Sequence, residues 1–406
     1  MIEQDIIVIG GGAAGFFTAI NAAEMNPEAK ISILERGKEV LSKVRISGGG
    51  RCNVTHAEFL PKELAKNYPR GNKELRGPFH TFMTGDTIAW FEERGVELKT
   101  EEDGRMFPVS DSSETIIDCF LREVKRLGIN LCTKHAVQEI IQKGENWEVF
   151  TSAGNFRTGK VLVATGSNPK IWKMLEKLGH QIIPGVPSLF TFNITDKRIK
   201  ELPGVATQAL VKISDGKEQT EGPLLITHWG MSGPAILKLS AWGARELSER
   251  KNFAILVNWL PGFFKEEIFE ELMELKEQFA KQHPIKTTRF DLPKRLWQKL
   301  VEAAGISGDM KWGDLNKKQL RELASQLCEG TFEVHGKSTF KEEFVTAGGV
   351  DLKGVNFKTF ESKICSNLFF AGEVLNIDAI TGGFNFQNAW TGGFIAAKAM
   401  TSGSAV

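Results

Sequence analysis

Residues 5–9, Asp-Ile-Ile-Val-Ile, form an apolar β-branched run that stops on Gly10-Gly11-Gly12-Ala13-Ala14-Gly15. A helix-like stretch from Ala13 to Asn26 ends at Pro27, and a second apolar run, Ile31–Leu34, closes on Glu35, twenty residues after Gly15. Strand, Gly10-x-Gly12-x-x-Gly15, helix, strand and acid in this order predict the βαβ unit of a dinucleotide-binding α/β fold. The glycines permit a tight turn and close approach of backbone to a pyrophosphate at the positive end of a helix. Glu35 is placed to hydrogen-bond a ribose hydroxyl.

The 406 residues are enough for about two to three domains. Both ends of the chain look related. Leu368-Phe369-Phe370-Ala371 is another short apolar run closing on Gly372-Glu373, and Thr381-Gly382-Gly383-Phe384 precedes a helix-like tail to Met400. Between about 191 and 339 the pattern changes. Short alternating strands fill 205–260, followed by amphipathic helices with Phe264, Ile268, Leu272, Leu275 and Phe279 on one face, Leu296, Trp297 and Leu300 on a second, and Leu320, Leu323 and Leu327 on a third. The expected organisation is a discontinuous nucleotide-binding domain (1–190 and 340–406) carrying a β-rich insert (191–261 plus 331–339) and a helical subdomain (262–330).

Charge and cysteine usage narrow the setting. Lys plus Arg number 51 and Asp plus Glu 50, so no whole-chain charge argues for polyanion or membrane binding, although a local basic face remains open. Five scattered cysteines without a C-x-x-C pair weigh against a disulfide framework, a zinc site or a redox dithiol, and fit a reducing compartment. The start of the chain lacks a basic leader region, and its apolar run is too short to span a bilayer, so a cytoplasmic protein is expected. The 28 Phe against one Tyr have no explanation at this level.

The same βαβ unit serves NAD and FAD. A second nicotinamide-type glycine unit is absent, whereas Ser47-Gly48-Gly49-Gly50-Arg51-Cys52-Asn53 is a loop of backbone donors with a cation, suited to an extended diphosphate and flavin. Ala164-Thr165-Gly166 ends a buried-looking strand with small residues. Glu373 resembles the acid that flavoproteins aim at the ribityl chain, and Gly382-Gly383-Phe384-Asn385 is set to direct a helix N-terminus at the flavin edge where negative charge collects. Together these favour FAD.

The segments GGGAAG, ISGGGRCNVT at 46–55, GRMFP at 104–108, LLITHWGMSGPAIL at 224–237, TAGGV at 346–350 and AGEVLNIDAITGGFNFQNAW at 371–390 resemble the BaiN/RdsA-type NAD(P)/FAD-dependent oxidoreductases, or aminoacetone-oxidase-like flavoproteins. The resemblance runs nearly the whole chain. It implies a glutathione-reductase-type, Rossmann-like FAD-binding domain interrupted by a β-barrel-like domain and a small helical domain. It also implies that Gly10, Gly12, Ala14 and Gly15 hold the pyrophosphate and Glu35 the adenosine ribose, with Ala13 and Arg36 in the same cofactor-binding set. Lys43, Ser47, Gly48, Gly49, Arg51, Cys52 and Asn53 match the second FAD loop, and Val137 the backbone contact to adenine. Gly372, Glu373, Gly383, Phe384, Asn385 and Gln387 match the flavin end. Two departures bear on substrate access: a shortened loop after Ala164-Thr165-Gly166, and Arg45 where relatives mostly carry an apolar residue.

Three side chains are candidates for chemistry. Cys52 is a proton donor or a small packing residue under the cofactor. His228 is an acid–base group or part of a turn leading to a helix start at Ser232 and Pro234. Arg105 is a substrate-binding cation or a loop arginine paired with Glu101 or Asp103. Lys286, Arg289, Lys294, Arg295 and Lys299 form an RNA-facing stripe or a solvated helix face. The expected function is hydride transfer from NAD(P)H through flavin N5 to a C=C or C=O acceptor. The family's substrates point to a small molecule or a uridine of ribosomal RNA, with no membrane, and no obligate protein partner is inferable from the sequence. The alternatives are a flavin-dependent amine oxidase and an FAD-containing RNA-binding assembly module.

Overall fold

A computed structural model describes residues 1–338 and 345–402. The chain divides into two compact units, residues 1–186 with 341–406 and residues 187–340. The return point expected at 340 lies outside the described residues.

The first unit is built on a twisted sheet whose centre is parallel. Its strands run in the order Asn130–Cys132, Ile31–Leu34, Ile2–Ile9, Asn155–Val163 and Leu368–Phe370, each parallel to its neighbour, with Glu361–Ser362 and Val355–Asn356 added antiparallel. Ile6, Ile7, Val8 and Ile9 pair with Ile31, Ser32, Ile33 and Leu34, and all eight are buried. That double-sided burial explains the continuous apolar runs. The connecting helix is Ala13–Met25, and Asn26 lies at its C-cap.

The chain ends meet in this unit. Helix Ala13–Met25 packs against the last helix, Phe384–Thr401, so closely that a Cβ on Gly393 would stand 2.8 Å from Thr18 Oγ1. Around this contact Phe17 lies 4.6 Å from Trp90 and 5.1 Å from Trp390, centroid to centroid, with Phe91 and Phe120 completing a buried aromatic cluster. A buried phenolic hydroxyl needs a partner and a phenyl ring does not, so buried clusters of this kind account for part of the phenylalanine excess. The single tyrosine, Tyr68, is also buried and donates its hydroxyl to the Phe384 carbonyl at 2.5 Å.

His180 gives this unit a pH dependence. It is buried, and Ser362 Oγ lies 3.2 Å from its Nε2 while accepting the Ile364 and Cys365 backbone N–H groups. Ser362 therefore donates its proton to a neutral ring, and burial holds the imidazole below its ordinary pKa. The unfolded state then binds a proton at higher pH than the folded state. The stability contribution is complete above about pH 6.5 and is lost as pH falls toward the folded value. Urea midpoints should decline through that window in the parent and decline less in His180→Gln.

The second unit carries an antiparallel sheet in the order Gly330–Val334, Phe253–Asn258, Ala206–Ile213, Gln219–Thr227, Gly230–Ser232, Thr191–Asn193 and Gly336–Ser338. Phe253, Ile255 and Val257 are buried and alternate with half-buried neighbours, the period of a one-sided strand. Among the described residues the pairing follows an open path. Helices Lys265–Gln278, Lys294–Ala303 and Lys317–Cys328 share one apolar core with the sheet, from Val257 and Phe332 to Leu272, Trp297 and Leu323. Phe264, expected on a buried helix face, is instead the exposed N-cap residue.

Candidate active site

Each glycine of the first loop has its own constraint. Gly10 has φ +115°, and a Cβ there would lie 2.4 Å from the Ala164 carbonyl oxygen; on Gly15 it would lie 2.0 Å from the Gly10 carbonyl oxygen. These two let the helix seat against the strands. Gly12 differs, because a Cβ there meets nothing within 4 Å. It caps a helix whose first turn, Ala13 and Ala14 included, receives no side-chain cap, so backbone donors face open space at the positive end of the dipole.

Glu35 is held at the edge of this space. Its carboxylate accepts the Gly11 N–H at 2.9 Å and the Gly37 N–H at 2.7 Å, while Arg36 is exposed beside it. His135 N–H donates to the Glu35 carbonyl and Lys134 N–H to that of Gly37, both at 2.8 Å. The chain is thereby laid along this turn just before Val137 opens its strand at an irregular register.

In the second loop, helix Ser42–Gly50 breaks at Ser47, and Gly48, Gly49 and Gly50 follow with φ of 58°, 69° and 85°. Successive left-handed residues point backbone N–H groups into one concavity. A Cβ on Gly48 would stand 2.9 Å from the Phe107 ring, whereas Gly49 and Gly50 face open space. Ser47 Oγ donates to the Val44 carbonyl. Lys43 forms an ion pair with Glu373, bringing the second loop to the C-terminal part of the cradle.

The third part joins residues far apart in sequence. Gly372, at φ +73°, would place a Cβ 3.2 Å from that of Ala14, and one on Gly166 would lie 3.8 Å from Glu373 Oε2. Ala164 N–H donates to the Ile9 carbonyl, and next to it Thr165 Oγ1 is buried without a partner. Gly383, at φ +90°, caps the last helix, again without a side-chain cap. A Cβ there would sit 2.5 Å from the Thr55 carbonyl oxygen. In the amide orientation that pairs both its atoms, Asn53 accepts the Gly383 N–H at 3.0 Å and donates to the carbonyls of Thr55 and Met106.

Several of the expected residues are buried or already paired in this geometry. Cys52 has no exposed surface and burial pushes its thiol up to about 12, so it packs beneath the loop and does not present a proton to a substrate. Cys52→Ala should keep its flavin and full turnover, and under native conditions the parent thiol should resist iodoacetamide. Arg105 is bound to Glu101 at 2.8 Å and Asp103 at 2.7 Å. Arg51 lies 3.9 Å over Phe107 and pairs with Glu101 at 2.6 Å and Asp111 at 3.4 Å, so its charge is already matched. His228 occupies the exposed hairpin turn between Gln219–Thr227 and Gly230–Ser232 in the second unit. Asn385 bonds both atoms of the Ala379 backbone, and Gln387, with no exposed surface, is taken up by the hydroxyls of Thr55, Thr87 and Thr391. Phe384 is almost fully buried.

The residues that hold this end in place were not singled out from sequence. His56 Nδ1 lies 3.1 Å from the Gly382 carbonyl oxygen and its ring lies 4.5 Å from that of Phe384. Arg70 forms a two-point ion pair with Asp378, which has no exposed surface. Tyr68, as the single tyrosine, was the one available signal.

Two uncapped helix N-termini, open backbone at Gly12, Gly49 and Gly50, an orphaned Thr165 hydroxyl and carboxylates at Glu35 and Glu373 fit an extended dinucleotide. This is the site of a flavoprotein built on a Rossmann fold. The chain belongs to the family described as HI0933-like protein Rossmann domain, whose model matches residues 4–399, and it is an FAD-dependent oxidoreductase.

Among similar proteins is a ribosomal RNA dihydrouridine synthase of Haemophilus influenzae, 29% identical over 97% of this chain and 98% of the relative. The Escherichia coli protein of that name is 27% identical over 98% of each. A 3-dehydro-bile acid delta(4,6)-reductase of Clostridium scindens is 26% identical over 97% of this chain and 98% of its own. The fold is also that of the 3-ketosteroid delta1-dehydrogenase from Sterolibacterium denitrificans, with TM-score 0.53 at 10% identity over 99% of this chain and 100% of the other. Among the described residues no helix is long and apolar enough to cross a membrane.

Proposed function

We propose that this protein reduces the C=C bond of a uridine in ribosomal RNA, with NAD(P)H as the reductant and bound FAD as the carrier. The observation that carries the reading is the match over 97% of this chain and 98% of the relative to a ribosomal RNA dihydrouridine synthase, on a chain whose first unit has a built dinucleotide cradle. The named bile acid reductase and the dihydrouridine synthases share one chemistry, reduction of a C=C conjugated to a carbonyl. The balance is C=C plus NAD(P)H plus a proton giving CH–CH plus NAD(P)⁺.

FAD supplies hydride transfer when bound. Gly12 to Gly15 and Gly48 to Gly50 would hold the diphosphate, Glu35 the adenosine ribose and Glu373, oriented by Lys43, the ribityl chain. The N-terminus of helix Phe384–Thr401 would favour negative charge on the cofactor edge it faces. The proton delivered to the second carbon comes from a group other than Cys52. With one dinucleotide cradle among the described residues, NAD(P)H would bind transiently. In this reading residues 1–190 with 340–406 carry FAD, residues 191–261 with 331–339 and the helical 262–330 serve the substrate, and the protein works in the cytoplasm.

Anaerobic mixing with NADH and with NADPH should bleach the flavin, and unmodified ribosomal RNA should then restore the yellow colour. Lasting colour with both nucleotides would point to an assembly module. Peroxide release from a small amine without nicotinamide would point to an amine oxidase.

A further inference from the structure

Helix Lys294–Ala303 buries Leu296, Trp297, Leu300 and Val301 and turns Lys294, Arg295, Gln298 and Lys299 the other way. The segment 195–201 lies against it: Arg295 donates to the Glu201 carbonyl, and Lys299 Nζ is 2.9 Å from the Glu201 carboxylate. Lys197 and Lys200 on that segment are exposed, as are Lys294 and Arg295. Asp196 does not offset them, because it is paired with Arg198 at 2.7 Å. Five cations therefore share Glu201 and, through Lys299 at 3.3 Å, Glu302.

We propose that this face, Lys197 and Lys200 with Lys294, Arg295 and Lys299, binds phosphates of the RNA substrate; the inference rests on the ribosomal RNA reading above. The chain has a net charge of only +1, and helix Lys265–Gln278 of the same unit carries six glutamates against two lysines, so five cations against two carboxylates on this face are a local excess of positive charge. Their mutual repulsion is offset by a polyanion, and a neutral or singly charged small molecule has no use for such a face. An anionic membrane is the weaker fit, since surface helices of that kind combine cations with exposed apolar side chains. The exposed large apolar residues of this unit, Trp229, Trp242, Phe263 and Phe264 among them, all lie outside residues 195–201 and 294–303. Of the other basic residues in the helical part, Arg289 is stacked 3.9 Å over Phe279 and is not assigned to the face.

The test uses the holoenzyme and ribosomal RNA from a strain lacking the protein, with binding followed between about 50 and 200 mM salt. Each phosphate contact on a single strand contributes about 0.7 to the log–log slope, so Lys197→Glu/Lys200→Glu/Lys294→Glu should flatten it by about two units and weaken binding about a hundredfold near 0.1 M salt. Flavin content and bleaching by NAD(P)H should not change. Lys62→Glu/Lys73→Glu/Lys358→Glu, with the same change in net charge in the first unit, should bind as the parent does. An unchanged slope in the first triple variant, or an equal loss in the second, overturns the assignment of the face while leaving the RNA reading intact. If the parent neither binds nor reduces ribosomal RNA, that reading fails and the inference with it. Patch-dependent binding to vesicles of anionic phospholipid without RNA binding makes the face a membrane surface and overturns the proposal.

Discussion

Gly12→Val is expected to purify as a folded, colourless protein. The backbone at Gly12 is extended, with φ −98° and ψ −173°, which valine adopts without strain, and a Cβ there touches nothing. The fold therefore loses nothing. The side chain stands where backbone donors of helix Ala13–Met25 meet a diphosphate, and overfilling such a contact costs about 1–3 kcal/mol even where neighbours relax. That corresponds to about a fivefold to 150-fold rise in Kd, added to the loss of access to the donors. Gly15→Val is the contrasting variant. Its side chain runs into the Gly10 carbonyl at 2.0 Å, so it should lose stability together with flavin. Flavin absorbance per protein and urea unfolding of the cofactor-free forms separate the two. A yellow Gly12→Val with parental flavin content would mean the diphosphate lies elsewhere.

Arg70→Met should destabilise the first unit by about 3–5 kcal/mol, because it leaves Asp378 charged, buried and without its two-point partner. Arg70→Met/Asp378→Leu should recover much of that loss, since the buried charge is then gone. The pair joins positions 308 apart and precedes the Gly382–Gly383 turn, so the single variant should also bind flavin more weakly. Urea midpoints and flavin titration measure both effects. A single variant within about 1 kcal/mol of the parent would show that water, not Arg70, satisfies Asp378.

The first βαβ unit was legible because its signals are local: an apolar run, three spaced glycines and an acid lie within 35 residues, and the structure puts a parallel strand pair and a helix there. The glycine-rich second loop was legible for the same reason, since consecutive glycines have few uses other than left-handed backbone. The supports of the flavin end were not. Thr55 meets Gln387 across 332 positions and Tyr68 meets Phe384 across 316, and spacing carries no trace of such pairs. Motif matching placed Asn385, Gln387 and Cys52 among cofactor contacts because they neighbour residues that line the cradle. Burial fixes Cys52 and Gln387, and bonds to the Ala379 backbone fix the half-buried Asn385; both depend on the whole fold. Phe264 failed differently: it continues the helical spacing by one step but lies at the N-cap, outside the face that the helix buries.

The most direct test of the account is nucleoside analysis of ribosomal RNA from a deletion strain complemented with the parent or with Gly12→Val. The account predicts that dihydrouridine is lost from ribosomal RNA on deletion, returns with the parent, and stays absent with Gly12→Val although that protein accumulates in folded form. Dihydrouridine at parental level in the deletion strain, or its restoration by a flavin-free Gly12→Val, would contradict it.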